Sequence, residues 1–234
     1  MLTLDFDLLG VSKGDIILDS GCGEGRHSFE CLSRGAKVFS MDMDLESLKK
    51  SKYTLESIRR NQCKNDGIYL VHKGDALNLP FKNNTFDRII CSEVMEHVKD
   101  DDLACREISR VLRDGGRVAI TVPTYFSEII YYILTYEYFT SPGGHVRRYF
   151  PKNLAKIMER NNLHIYDIGF KHSFHTIYWM IRSVVGLHLN DHPITKSYRK
   201  LLTLSLHSKL LTKVESFFDN FFPKSMVFYA FKKK

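Results

Sequence analysis

The sequence lacks the marks of a membrane-spanning or secreted chain. A membrane span needs about 18 or more apolar residues in a row, and the nearest stretch, Phe174–Leu189, is interrupted by Arg182. The N-terminus, MLTLDFDLLG, has no basic residue ahead of its apolar ones, so we expect no signal peptide. The five cysteines include no CxxC pair, which disfavours a disulfide framework. These absences predict a cytoplasmic protein with no transmembrane span.

Repeats, low-complexity tracts and a clustered basic surface are also absent, apart from three lysines at the C-terminus. A length of 234 residues suits one domain. The formal net charge of +7 fits either a solvated surface or a polyanionic partner, and the scattered Lys and Arg residues leave both open. No appended RNA-binding module is recognisable, which disfavours nucleic acid as a partner. The sequence gives no indication of the oligomeric state.

Apolar strand-like runs alternate with amphipathic helical ones. This order predicts an α/β fold with a largely parallel sheet covered by helices on both faces. The predicted strands are Ile16–Leu18, Lys37–Met41, Ile68–His72, Phe86–Ser92, Arg117–Val122, His164–Phe170 and Met226–Phe231. The predicted helices are Arg26–Ser33, Leu45–Arg60, Asp101–Leu112 and Pro151–Asn161.

A glycine-rich loop follows the first predicted strand. Gly21, Gly23 and Gly25 occupy alternate positions, and glycine lets the backbone approach a ligand that side chains would hold away. In open parallel sheets, ligands bind beyond the carboxyl ends of the strands, so a nucleotide is expected there. Asp42 ends the second strand and suits the two hydroxyls of a ribose. The carboxylate of Asp75, after the third strand, suits an adenine amino group.

Five segments, in order, resemble the class I S-adenosylmethionine (SAM)-dependent methyltransferases. They are LDSGCGEG (Leu18–Gly25), VFSMDMD (Val38–Asp44), GDALNLPF (Gly74–Phe81), FDRIICSEVMEHV (Phe86–Val98) and REISRVLRDGGRVAITVP (Arg106–Pro123). The resemblance covers Ile16 to about Val122. It implies a doubly wound, Rossmann-like, seven-stranded sheet with an antiparallel seventh strand, and SAM as cofactor.

The resemblance also implies a role for each matching residue. Asp19, Gly21, Gly23 and Gly25 would shape the pocket for the methionine part of SAM. Asp42 would hold the ribose, Met43 would lie beside the adenine, Asp75 and Ala76 would contact it, and Ser92 would offer its backbone near the sulfonium.

Two histidines are candidates for the general base that removes a proton from a hydroxyl acceptor. His97 closes Glu93–His97, which looks like the ExxEH motif that ubiquinone-pathway O-methyltransferases associate with a divalent metal. We interpret that segment as a helix start and predict no metal there. His145 lies in GGHVRRYFPKNL (Gly143–Leu154), a segment similar to one in a functionally undescribed subset of these enzymes. We prefer His145, and predict that Arg148 and Tyr149 contact the substrate.

Two connections are longer than the fold needs. The segments 124–150 and 171–225 should both emerge over the cofactor, and we predict that they form a substrate lid within one domain. We interpret the aromatic residues of these segments as an apolar acceptor pocket, and a helical core of their own is an alternative compatible with it: Tyr125, Phe126, Tyr131, Tyr132, Tyr136, Tyr138, Phe139, Tyr178, Trp179, Phe217, Phe218, Phe221 and Phe222.

The second connection carries two further predictions. His172 and His175 lie in HSFHTIYW, which again resembles that subset, and we predict that they contact the substrate; a metal is not expected there without a third ligand nearby. Six basic residues among large apolar ones predict peripheral contact with an anionic membrane or a lipid-like acceptor: Arg182, Lys196, Arg199, Lys200, Lys209 and Lys213.

The sequence therefore predicts a SAM-dependent methyltransferase that methylates an oxygen of a small or lipid-like acceptor. An RNA or protein methyltransferase and a SAM-binding protein without catalysis remain as alternatives. Class I motifs report the cofactor only, so the acceptor and its reacting atom stay open.

Overall fold

A computed structural model describes residues 2–61, 68–134, 144–186 and 192–234. Five residues named in the sequence analysis lie outside these ranges: Tyr136, Tyr138, Phe139, Gly143 and Leu189.

The described residues form seven strands and nine helices. The strands are β1 (Ile16–Ser20), β2 (Lys37–Asp42), β3 (Tyr69–Lys73), β4 (Phe86–Ser92), β5 (Leu112–Pro123), β6 (Leu163–Lys171) and β7 (Ser225–Lys232). The helices are α1 (Phe6–Leu9), α2 (Arg26–Ser33), α3 (Leu45–Asn61), α4 (Asp101–Val111), α5 (Tyr125–Leu134), α6 (Pro151–Arg160), α7 (Ser173–Val185), α8 (Pro193–His207) and α9 (Lys209–Phe218).

The strands make one sheet in the order β3-β2-β1-β4-β5-β7-β6. Neighbouring strands from β3 to β5 are parallel, whereas β7 runs antiparallel to both β5 and β6. Two apolar clusters cover the two faces: one includes Ala104 and Ile108 of α4, and the other includes Leu32 of α2 and Leu55 of α3. The predicted Rossmann-like, doubly wound sheet with an antiparallel seventh strand is confirmed.

The element boundaries differ from the prediction mainly at β5. The strand begins at Leu112 rather than Arg117, directly after α4 ends at Val111. The pairing register with β4 shifts between Phe86 and Arg88, and Gly115 adopts a left-handed φ of 73°. A β-bulge of this kind accommodates an extra residue in one strand without ending that strand. From the sequence alone, Gly115-Gly116 predicts only the end of the preceding helix.

One edge of the sheet collects the segments that matter for function. The carboxyl ends of β1, β2 and β4 lie there because these strands are parallel. The start of β7 lies there as well, since Ser225 pairs with Pro123 at the end of β5 and with Lys171 at the end of β6. Both long connections therefore leave the sheet at the same edge as the glycine loop.

The long connections fold into helices that pack on one another. Helix α7 contacts α5, α8 and α9, and α8 contacts α9. Many large apolar side chains of α8, α9 and the turn after them are exposed: Ile194, Leu201, Leu204, Leu206, Leu210, Phe217, Phe218, Phe221 and Phe222. Among the described helices, none combines the length and the apolar character needed to cross a membrane.

Candidate active site

The glycine loop is bound to the end of β2 by backbone hydrogen bonds. The amides of Gly21 and Cys22 donate to the Met41 carbonyl at 2.7 and 3.0 Å. Gly21 has a left-handed φ of 72°, and a Cβ there would come 2.1 Å from a methyl carbon of Val94. A larger residue at position 21 would therefore push the loop away from the segment that follows β4.

Asp42 connects the loop to the start of α3. Its Oδ2 accepts a hydrogen bond from the Gly23 amide at 2.8 Å, and its Oδ1 accepts one from the Asp44 amide at 2.9 Å. A carboxylate has about four acceptor positions, so two bonds leave capacity for a pair of ligand hydroxyls. Asp44 in turn caps α3 by accepting from the amides of Glu46 and Ser47.

Two adjoining cavities open along this edge of the sheet. The first has a volume of about 230 Å³, and among its lining residues are Asp42, Met43, Asp75 and Ala76. The second has a volume of about 380 Å³, and among its lining residues are Gly23, Arg26, His27 and Ser92. Gly21, Asp42 and Glu93 line both. Seven of the nine predicted cofactor residues therefore line one or both of these adjoining cavities: Gly21, Gly23, Asp42, Met43, Asp75, Ala76 and Ser92.

Asp19 and Gly25 line neither cavity. Asp19 is fully buried beneath the loop, where its Oδ2 accepts from the Ser28 hydroxyl at 2.6 Å. Burial raises the pKa of Asp19 to about 6, although the hydrogen bonds from Ser28 act in the opposite direction. A Cβ at Gly25 would lie 2.4 Å from the Ser51 hydroxyl oxygen. These two residues shape the loop from below, so any effect on a cofactor is indirect.

Glu93 and Lys224 meet between the two cavities. Glu93 has a left-handed φ of 57°, an uncommon conformation for a residue with a side chain. Its Oε2 accepts from Lys224 Nζ at 2.9 Å. Burial raises the pKa of Glu93, but the Lys224 charge and hydrogen bond outweigh it, so the pKa lies below its usual value. Lys224 was not predicted, because it precedes β7 and no local pattern marks it.

A second group of titratable side chains lies beside the first cavity. His145 Nδ1 and Glu128 Oε2 are 2.8 Å apart, and the His97 and His145 rings meet edge to face with their centroids 4.7 Å apart. Glu96, His97 and His145 each have a potential metal-ligand atom within 4.8 Å of the others. The Val146 amide donates to the Glu96 carbonyl at 2.8 Å and holds the two segments together.

The carboxyls of this group are buried. Glu96 and Glu128 are each 1% exposed. Burial, followed by the nearby charge of Glu93, raises the pKa of Glu96 well above its usual value. The prediction that Glu93–His97 begins a helix is wrong: residues 95–97 form a turn, and α4 begins only at Asp101. Asp100 caps α4 instead, by accepting from the Leu103 amide.

The comparisons with known proteins agree with this geometry. Residues 18–120 match the family model described as a methyltransferase domain. These residues are a class I methyltransferase domain. They contain the glycine loop, Asp42, Asp75 and Ser92, and the cofactor of such a domain is SAM. For residues 18–120, the predicted family and cofactor are thereby confirmed.

Similar proteins resemble mainly this methyltransferase domain. Methyltransferase GfsG of Streptomyces halstedii is 34% identical over 119 residues, which cover 49% of this chain and 40% of that protein. Demethylmenaquinone methyltransferase of Thermobifida fusca is 36% identical over 108 residues, which cover 46% of this chain and 43% of that protein. The alignments thus span less than half of either relative.

One solved structure matches along nearly the whole chain. A SAM-dependent methyltransferase from Methanosarcina mazei superposes with a TM-score of 0.63, covers 99% of both chains and is 17% identical in sequence. This likeness shows that the fold extends beyond the methyltransferase domain to both ends of the described sheet.

The structure corrects one predicted substrate contact. Tyr149 is 3% exposed, and its hydroxyl donates to Asp101 Oδ2 at 2.8 Å and approaches the Met95 carbonyl at 3.2 Å. Burial, followed by the hydrogen bond to Asp101, raises the pKa of Tyr149 above its usual value. The hydroxyl is used within the core and is not presented to an acceptor. The spacing of the motif could not reveal this, since it does not show which side of the chain faces the sheet.

The other predicted substrate contacts have different surroundings. The Tyr125 ring stacks on Phe150 with centroids 3.8 Å apart, and the Arg148 guanidinium lies 4.8 Å from the centroid of the Tyr132 ring. His172 and His175 line neither cofactor cavity; His172 lines a separate cavity beside α9. Burial lowers the pKa of His172 to about 2 and that of His175 to about 4.

Proposed function

We propose that the whole chain transfers a methyl group from SAM to an oxygen of a small or lipid-like acceptor, with His145 as the general base. The observation that carries the proposal is the His145–Glu128 pair beside the cavity that Asp42 and His97 line. The resemblance to a demethylmenaquinone methyltransferase favours a small or quinone-like acceptor over RNA or protein.

The residues along the two cavities fit the parts of SAM in order. Asp42 has acceptor capacity for the ribose hydroxyls, and Met43 and Ala76 supply apolar surface for the adenine. Nothing within 4 Å would meet a Cβ at Gly23, so the backbone there is open to a ligand. Arg26, which lines the second cavity, supplies a positive charge for the cofactor carboxylate. When bound, SAM supplies an electrophilic methyl group.

His145 is oriented for proton removal by the buried Glu128. A carboxylate that accepts from Nδ1–H selects the tautomer in which Nε2 is the basic nitrogen of the ring. In this arrangement Nε2 would take the proton of the acceptor hydroxyl as the carbon–oxygen bond to the methyl group forms and the methyl–sulfur bond breaks, with S-adenosylhomocysteine as the leaving group. His97 packs against the His145 ring and lines the first cavity, which makes it the second candidate base. Because one His145 nitrogen is occupied by Glu128 and the other is needed for the acceptor, we propose a reaction without a metal.

The exposed surface of α8 and α9 supports a lipid-like acceptor and a cytoplasmic location at the inner face of the membrane. Apolar side chains such as Leu204 and Leu210 are 61% and 71% exposed. The same two helices carry Lys196, Arg199, Lys200, Lys209 and Lys213. A surface that combines apolar and basic residues suits the interface of an anionic membrane. We propose that this basic apolar face docks on anionic lipid and that α5, α7, α8 and α9 act as the lid.

Turnover and cofactor binding, measured separately, test the proposal. Calorimetry with S-adenosylhomocysteine reports the cofactor site, and transfer of labelled methyl to short-chain quinols and phenols reports the reaction. His145→Ala should bind S-adenosylhomocysteine like the parent and lose about 10²–10⁴-fold in turnover, the usual effect of removing a general base. Glu128→Gln should also bind S-adenosylhomocysteine like the parent and should also have a lower turnover.

A matched control exists on β6, where His164 Nδ1 lies 2.9 Å from Glu159 Oε2 in a partly exposed His–Glu pair. His164→Ala should leave turnover unchanged. Near-parental turnover of His145→Ala would assign that residue a structural role. Transfer to RNA or protein but to no small acceptor would favour the first alternative, and cofactor binding without any transfer would favour a non-catalytic protein.

A further inference from the structure

Three potential metal ligands meet between α7 and α9, and none of them lines either cofactor cavity. His172 and His175 lie at the start of α7, and Glu215 lies on α9, forty residues further along the chain. One ligand atom from each lies within 4.8 Å of the other two. The two histidines by themselves do not indicate a metal site, because a third ligand is missing from their surroundings in the sequence. Tertiary packing supplies it.

Two atoms of this cluster are buried and unsatisfied. Within the described residues, His175 Nδ1 and Glu215 Oε1 have no hydrogen-bond partner. Leaving a buried polar atom unpaired is costly, and most such atoms in native proteins have a partner, an ordered water or an ion. A cation between the two atoms would satisfy both, because a neutral imidazole nitrogen and a carboxylate oxygen each offer it a lone pair.

His172 is held in an orientation that suits a ligand. It adopts a left-handed φ of 73° immediately before α7, and its Nε2 lies 3.1 Å from the hydroxyl of the buried Thr3. This bond leaves Nδ1 for a metal. Metal-binding histidines usually have their second ring nitrogen fixed by such a partner.

The composition and surroundings of the cluster indicate the metal. Two imidazoles and one carboxylate form a typical set of three protein ligands for Zn²⁺ with an open fourth position. A cavity of about 310 Å³, which His172, Glu215 and Asp219 line, adjoins the cluster and gives the fourth position room for water. Lys171 also lines this cavity. Asp219 accepts a hydrogen bond from the Ser173 amide at 2.8 Å.

We propose that His172, His175 and Glu215 bind one Zn²⁺ ion that joins α7 to α9. Through Thr3, the ion also holds the N-terminal segment against the helices. Thr3 in addition donates its amide to His27, at 3.4 Å, and His27 lines the second cofactor cavity. The metal site therefore stabilises the packing of α7, α9 and the N-terminal segment, and it is separate from the proposed His145 chemistry.

The test is zinc binding by the full chain, after removal of metals with a chelator and dialysis. Calorimetry should show one equivalent of Zn²⁺ bound by the parent, with a higher melting temperature in the bound state. Glu215→Gln, which keeps the size of the side chain, should weaken binding about 100-fold or more, and Thr3→Val should weaken it about 10–100-fold, as loss of an outer-shell partner does. Co²⁺ should give the absorption bands of a four-coordinate site, and these should be lost in Glu215→Gln.

Two control variants locate the ion. Glu159→Gln removes the carboxylate of the partly exposed His164–Glu159 pair and should bind zinc like the parent. Glu96→Gln alters the other cluster of potential ligands, Glu96, His97 and His145, and should also bind one equivalent. Circular dichroism and metal-free melting establish that each variant is folded. Parental zinc affinity in folded Glu215→Gln, absence of binding by the parent, or loss of binding in Glu96→Gln alone would overturn the proposal.

Discussion

Replacing Asp19 by Asn should change how the stability of the fold depends on pH. The side chain of Asp19 lies in a buried pocket, where its Oδ2 accepts a hydrogen bond from the Ser28 hydroxyl. The Ser28 hydroxyl oxygen in turn accepts one from the Ser40 hydroxyl at 2.7 Å. Asp19 Oδ1 has no partner in the described part of the chain. Burial raises the pKa of Asp19 from 3.8 to about 6, so the folded state holds the proton more tightly than the unfolded state.

The sign and size of the effect follow from this difference in pKa. Between pH 4 and pH 6 the folded state carries more protons than the unfolded state, so the free energy of unfolding falls as the pH rises. A shift of about two units at about 1.4 kcal/mol per unit gives a total loss of about 3 kcal/mol, complete above about pH 7. Asn at this position does not titrate. The variant therefore gains stability relative to the parent over this range, by about 3 kcal/mol.

Urea unfolding of the two proteins at pH 4, 5, 6 and 7, without cofactor, measures the effect. The difference between variant and parent isolates Asp19 from other buried groups, among them His27, whose pKa burial lowers to about 3. The Asn side chain also places an unpaired amino group at Oδ1, which lowers the stability of the variant by about 1–3 kcal/mol at every pH. Only the change with pH is therefore diagnostic. Asp167→Asn, on the exposed part of β6, controls for net charge. A difference that stays constant from pH 4 to pH 7 would refute a raised pKa at Asp19.

Three further outcomes are expected. Gly21→Ala should lose about 2–5 kcal/mol of stability, because the new side chain combines a left-handed φ with a clash against Val94. Gly23→Ala has no such clash and should lose only about 1–2 kcal/mol. In calorimetry, however, Gly23→Ala should bind S-adenosylhomocysteine at least about tenfold more weakly than the parent. Parental cofactor affinity in Gly23→Ala would remove that residue from the binding surface. Mg²⁺ should not raise turnover of zinc-loaded protein, and a stimulation that Glu96→Gln abolishes would contradict the metal-free reaction. The protein should float with anionic vesicles at low salt and less at high salt, since each basic residue near such a surface contributes about 1 kcal/mol. A Leu204→Ser, Leu210→Ser double variant should float less, and equal flotation of both proteins would exclude the basic apolar face as the contact.

Short stretches of sequence determined the sheet and the cofactor end of the site. A glycine loop after a buried strand, an acidic residue at the end of the next strand, and the alternation of strands with helices are local features. Each depends on the conformational preferences of a few neighbouring residues, and in a parallel sheet those strand ends necessarily meet at one edge. Asp42 and Asp75 could therefore be identified as neighbours from their positions in the chain, and the family resemblance added Ser92.

Tertiary structure decided which distant segments meet these residues. Glu128 reaches His145 from α5, Lys224 reaches Glu93 across more than a hundred residues, and Glu215 reaches His172 and His175 from another helix. Tyr149, in the same motif as His145, is directed into the core instead. Periodicity along a helix or strand shows which side is apolar, but it does not show what packs against that side. Contacts between long connections depend on packing of the complete chain, and their chemistry therefore appears only in the folded molecule.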